Sequence, residues 1–248
     1  MANQNFNTFG RGGVIADQAT FDAGLRAHMI KVYNYMASGL ALSGIVAFAL
    51  FNVPSLAALF FEVTPRGVAG LNVLGWIAIF APFGLLLLMG FRAAQMSVGG
   101  LQAIYWAVTA LMGVSLSLLL FRYTGASVAR AFFVTAASFG ALSLYGYTTQ
   151  RDLGPIGSFC IMGLFGIILA SLVGLFFPSP GLSFVISVVG VLVFAGLTAW
   201  DTQQIKEMYS VNDDGTIAGR KAIMGALRLY LDFINLFLML LRLMGDRR

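Results

Sequence analysis

A chain of 248 residues with 59% hydrophobic and only 10% charged side chains departs from soluble domains, which carry about 25% charge, and its mean hydropathy of +0.86 places it among membrane proteins. The net charge of +5 is scattered over loops and ends, so it reads as a topology signal and not as a nucleic-acid surface. One cysteine and one histidine exclude an internal disulfide, a His-rich metal site, a Ser-His-Asp triad and His-pair haem ligation.

Residues 1–31 hold Arg11, Asp17, Asp22, Arg26, His28 and Lys31 and lack the apolar core of a cleavable signal peptide. They read as a polar cytoplasmic tail, flexible around Gly10, Gly12 and Gly13, ahead of a membrane domain over 32–245. A helix needs about 20 apolar residues to cross the hydrocarbon core. Seven stretches qualify, at 32–52, 70–91, 101–121, 127–148, 156–177, 182–203 and 222–243. The first break contains Pro54, Glu62, Pro65 and Arg66, the second runs from Arg92 to Gly100, and the third from Arg122 to Gly125. Gln150, Arg151, Asp152 and Pro155 mark the fourth. Pro178-Ser179-Pro180 is a tight fifth turn, because proline cannot continue a helix. The sixth loop lies between Tyr209 and Lys221.

Small residues recur every fourth position at Gly39, Ser43 and Ala47 and at Gly166, Ala170 and Gly174, a spacing that lets helices approach closely. Cys160, in an apolar run, reads as a small buried side chain. With the N-terminus in the cytoplasm, the cytoplasmic loops hold Arg11, Arg26, Lys31, Arg92, Arg151, Lys206, Arg220 and Lys221. The far side holds Arg66, Arg122, Arg130, Arg242, Arg247 and Arg248, and the bias favours this orientation. The basic C-terminus fits seven crossings poorly, which leaves a re-entrant final segment as an alternative.

Two charges stand out inside the spans, Asp201 in the sixth and Asp232 in the seventh. A carboxylate in lipid costs roughly 2.5–3.5 kcal/mol on insertion scales and marks a functional position by default. If the sixth helix continues to Tyr209, Asp201 lies about 12 Å from its end, and Asp232 lies about 15 Å beyond a start near Ala222. Arg92, at the end of the second span, falls in the same half of the membrane. Two carboxylates at close range cannot both ionise cheaply, so they titrate as a unit. A shared proton would join their helices, Ca²⁺ would accept the same oxygens, and a neighbouring arginine would latch to one of them. The plainer readings are Asp201 as the cap of a span end, and Arg228 pairing with Asp232 one turn along the same face. Arg92 also reads as an ordinary basic flank, and Asn235 as interhelical glue or a cavity-lining group.

The segment VLVFAGLTAWDTQQIKEMY resembles the sixth span of the Bax inhibitor-1 family, the transmembrane Bax inhibitor motif proteins, and GALRLYLDFINLFLMLLRLMG resembles its last span. GWIAIFAPFGLLLLMGFR and LMGVSLSLLLF fit the second and third. The resemblance covers residues 25–245 and points to a bacterial member in the inner membrane. It implies an all-α bundle of seven transmembrane helices with the last helix central. It also implies a pH-sensitive calcium leak in which Asp201 and Asp232 are the proton and Ca²⁺ sensor and Arg92 is the latch. Arg228 departs from the family pattern, because a cation one turn before Asp232 would weaken Ca²⁺ binding. No cofactor is implied beyond Ca²⁺ as the transported ion, and the partners are the bilayer, Ca²⁺, protons and other membrane proteins. The competing function is a non-channel interaction protein that modulates a stress response or a membrane protease. An intramembrane aspartyl protease would want Tyr-Asp and Gly-x-Gly-Asp motifs, and the chain has Trp200-Asp201 and Leu231-Asp232 instead; the expectation is that it is not an enzyme.

Overall fold

Most spans begin where a short polar side chain takes up a free N–H of the first helical turn. Asn72 accepts from the Gly75 N–H at 2.9 Å, Ser97 from Gly100 at 3.1 Å, Thr124 from Ser127 at 3.3 Å and Asp214 from Ile217 at 2.7 Å. Two spans carry a proline, Pro155 or Pro180, in their first turn, where no hydrogen bond is lost. The computed structural model describes residues 8–64 and 67–247, the backbone alone at 8–19, 63–64 and 67–69. Pro65, Arg66 and Arg248, together with the side chains of Arg11 and Asp17, lie outside the described residues.

In chain order the elements are α1 (Thr8–Asn52), α2 (Pro54–Ala57), β1 (Phe61–Thr64), β2 (Gly67–Leu71), α3 (Val73–Arg92), α4 (Val98–Arg122), α5 (Gly125–Thr148), α6 (Gly154–Phe176), α7 (Pro180–Glu207) and α8 (Gly215–Met244). Among the described residues seven helices, α1 and α3 to α8, are long and apolar enough to cross a membrane. The protein is therefore an all-α integral membrane protein, a bundle of seven transmembrane helices. The first loop is more than a break. It holds the short α2 and an antiparallel hairpin of β1 and β2, and Phe61 anchors it against Leu50, Ala78 and Val114.

α1 runs without interruption from Thr8 across residue 31 and through the span. Leu25, Met29, Val32 and Met36 recur at helical spacing and are all buried, so the packed face starts before the apolar stretch does. His28, read as a tail residue, is buried beside Tyr209, with ring centroids 5.8 Å apart. Phe21 meets the same Tyr209 ring edge-on at 5.3 Å.

α8 packs against α1, α4, α5 and α7. Of its most apolar stretch 67% is buried inside the protein, against 11% for α6. α8 is one continuous helix of 30 residues, long enough to cross a membrane. Its end meets the α4–α5 turn, where the Thr124 N–H donates to the Asp246 carbonyl at 3.1 Å and Tyr123 bridges to Arg247. The early part of α1 instead adjoins the α7–α8 turn through Tyr209, so the first and last helices open and close the bundle at opposite ends.

The Gly39–Ser43–Ala47 stripe faces α4: Gly39 lies under the Tyr105 ring, and Ser43 Oγ donates to the Thr109 carbonyl at 2.7 Å. The Gly166–Ala170–Gly174 stripe does not serve in this way. A Cβ on Gly166 would meet nothing within 4 Å. The close approaches that hold α7 are elsewhere. A Cβ on Gly146 would stand 2.1 Å from the Ala199 carbonyl, and one on Gly157 would stand 2.2 Å from the Trp200 ring. Cys160 is buried and free, packed against Gly196.

Candidate functional site

Gly146 on α5 and Gly157 on α6 press on Ala199 and Trp200, which fixes the turn of α7 that bears the next residue, Asp201. Farther along α7, Gln203 ties down the α5–α6 loop. Its Oε1 accepts from the Leu153 N–H and its Nε2 donates to the Arg151 carbonyl, both at 2.8 Å. Lys206 Nζ donates to the Tyr147 carbonyl at 2.9 Å. α7 ends at Glu207, six residues past Asp201, a rise of about 9 Å. α8 begins at Gly215, about two turns ahead of the expected start near Ala222. Its early turns are held by Lys221, which pairs with Asp213 at 2.6 Å and donates to the Met208 carbonyl at 2.7 Å.

On this frame the two aspartates meet. Asp232 is only 5% exposed and the Asp201 side chain 13%, and the two carboxyl groups lie close enough to interact directly. Asp232 Oδ2 is buried with no N–H or O–H donor from any other group among the described residues. An unpartnered buried oxygen is costly. A carboxyl–carboxyl hydrogen bond relieves that cost only when one proton is present between the two groups. The geometry therefore sets two carboxyl groups, one from α7 and one from α8, where a proton between them would relieve that cost.

The cation beside this pair is Arg228. Its Nη1 lies 3.8 Å from Asp201 Oδ1, too long for a hydrogen bond but close enough for Coulomb attraction. The Arg228 side chain is 44% exposed, which screens the pair and keeps it weak. Arg228 thus reaches across to α7, and the ion pair expected with Asp232 on its own helix is not formed. Arg92 is exposed at the end of α3 and makes no ion pair among the described residues. α3 packs mainly on α4, and just past its end the Ala94 carbonyl accepts from Arg220 of α8 at 2.8 Å. Asn235 Nδ2 donates to the Leu231 carbonyl of its own helix at 2.9 Å, so that amide hydrogen bond joins no second helix.

Ca²⁺ takes about 6–8 oxygen ligands. No cluster of three or more His, Cys, Asp or Glu side chains capable of holding a metal occurs among the described residues. Two carboxylates can contact a dication but do not enclose one.

Sequence reasoning passed over two hydroxyl chains that flank the pair. Tyr33 OH meets Ser143 Oγ at 2.6 Å, Ser143 Oγ meets Thr202 Oγ1 at 2.9 Å, and Thr202 Oγ1 donates to the Thr198 carbonyl at 2.8 Å. This chain links α1, α5 and α7 at the residue after Asp201. On the other side, Tyr230 OH meets Ser43 Oγ at 2.7 Å, two residues before Asp232. The available signal was hydroxyl residues inside apolar spans, which by itself does not separate helix back-bonding from interhelical contact.

A family model described as "Inhibitor of apoptosis-promoting Bax1" matches residues 25–248. The chain is 47% identical over 229 residues to the protein RP147 of Rickettsia prowazekii, covering 92% of this chain and 93% of that one. It is 45% identical over 248 residues to a protein of Caulobacter vibrioides, covering 98% and 99%. It is 43% identical over 228 residues to the inner membrane protein YbhL of Escherichia coli, covering 91% and 94%.

Proposed function

Because the chain belongs to the Bax inhibitor-1 family, we propose that it is a passive Ca²⁺ leak in a bacterial inner membrane, closed by the proton that Asp201 and Asp232 share. The observation that supports this most is the buried Asp232 oxygen with no donor, in reach of a second carboxyl. With one proton present the pair draws α7 and α8 together. Loss of that proton leaves two carboxylates that repel, and Ca²⁺ in transit replaces the proton as their counter-charge. Flux therefore rises as pH rises through the titration of the pair. The reaction is conduction, with no covalent step. The loops at the Tyr209 end hold Arg26, Lys31, Arg92, Arg151, Lys206, Arg220 and Lys221, an excess that supports an N-terminus in the cytoplasm.

The test is Ca²⁺ flux from vesicles containing the purified protein, between about pH 6 and 8. Wild type should be low at the acid end and rise. Asp201→Asn and Asp232→Asn should each flatten the curve. Asn variants whose flux follows pH as wild type does would sink the mechanism, and a wild type without flux would sink the leak itself.

A further inference from the structure

At the opposite end of the bundle from Tyr209, a cleft of about 740 Å³ opens between the ends of α4, α6, α7 and α8. Three guanidiniums line it: Arg122 closes α4, Arg242 lies in the last turn of α8, and Arg247 follows that helix. All three are exposed, and none has an ion-pair partner among the described residues. No carboxylate lines the cleft among the described residues. The acid nearest in sequence, Asp246, is engaged by the Ser127 hydroxyl at 3.1 Å. Three like charges around one cleft repel, and an anion between them removes that repulsion.

Two further features choose the anion. Ser171, Ser179 and Ser183 place hydroxyls on the wall, beside the N-terminal end of α7, whose dipole also favours negative charge. Leu175, Phe184 and Leu243 complete the wall and are exposed, at 77%, 63% and 36%. The cleft thus has a cationic, hydrogen-bonding floor and an apolar side. It sits where helices end, at the level of lipid headgroups. It is also much larger than a free phosphate ion requires. Arginine binds phosphate oxygens through a planar fork, and basic pockets between membrane helices take anionic headgroups. We propose that this cleft is a binding site for an anionic phospholipid, with the phosphodiester among Arg122, Arg242 and Arg247 and an acyl chain along Leu175 and Phe184. A zwitterionic lipid would bring its own cation against the arginines and bind less well.

The experiment titrates the purified full-length protein in neutral detergent with dioleoylphosphatidylglycerol and counts bound lipid by native mass spectrometry. Retention should exceed that of dioleoylphosphatidylcholine, and Arg122→Gln and Arg242→Gln should each weaken it roughly fivefold. Millimolar inorganic phosphate should leave the lipid in place. Equal retention of the two lipids, or wild-type retention in the Arg122→Gln/Arg242→Gln variant, overturns the proposal. Displacement by inorganic phosphate also overturns it and identifies a free-anion site. A photoreactive phosphatidylglycerol on the wild type tests the site without any variant. Cross-links should fall within 171–187 and 242–247, and cross-links confined to other segments contradict the assignment.

Discussion

At the scale of residues, the candidate site turns on three charges, Asp201, Asp232 and Arg228. Asp201 and Asp232 were legible because a carboxylate in an apolar span has few reasons to be there. Their meeting was not legible, since depth along a helix says nothing about the face. The cation was assigned to Arg92 because that residue shares their depth. In this structure Arg228, projecting from α8, is the arginine that stands near the pair, 3.8 Å from Asp201. The two arginines therefore separate in function. Arg228→Gln removes a cation that favours the ionised carboxylate, so the flux–pH curve should move toward higher pH. Arg92→Gln should leave the curve unmoved. The same vesicle flux assay checks both, and a shift with Arg92→Gln but not with Arg228→Gln would return the latch to α3.

At the scale of elements, span number and order were readable from hydropathy, and several ends from polar caps and prolines. The early packing of α1 was hidden for a clear reason. Six charged or titratable residues in 1–31 hide a helical face of Leu25, Met29 and Val32, which periodicity reveals and average hydropathy does not. The misplaced glycine stripe is instructive too. Gly166 and Gly174 have the right spacing but look onto open space or a single side chain, whereas the isolated Gly146 and Gly157 touch a facing carbonyl and an indole. Close approach depends on what stands opposite, which a single strand of sequence does not contain. Gly157→Leu should destabilise the bundle by about 1–3 kcal/mol through overpacking against Trp200, read as a lower midpoint of thermal unfolding in detergent. Gly166→Leu should be nearly neutral in the same measurement. Asp214→Ala, which removes the cap of α8, should cost about 1 kcal/mol. Because that cap lies far from the carboxyl pair, it should do so without changing the pH at which flux appears.

At the scale of the whole molecule, a hydrogen-bonded frame surrounds the carboxyl pair. Gln203 and Lys206 pin the end of α7 to the α5–α6 loop and to α5, and Lys221 pins the start of α8 to the turn before it. The Tyr33–Ser143–Thr202 chain ties α1 and α5 to the same stretch of α7. In the proposed leak, motion between α7 and α8 concentrates near Asp201 and Asp232, where a single proton would decide between attraction and repulsion. The far end carries the arginine cleft, so the proposed lipid site and the proposed pH sensor lie at opposite ends of one bundle. The central claim is that a proton held between the two carboxyl groups closes the leak. Infrared difference spectroscopy of the reconstituted protein tests it most directly, because a protonated carboxyl has its own carbonyl band. The account predicts a band that is present at acid pH, lost as pH rises in step with Ca²⁺ flux, and absent from Asp232→Asn. A carboxylate signature with no protonated band at any pH where the leak is closed would contradict it.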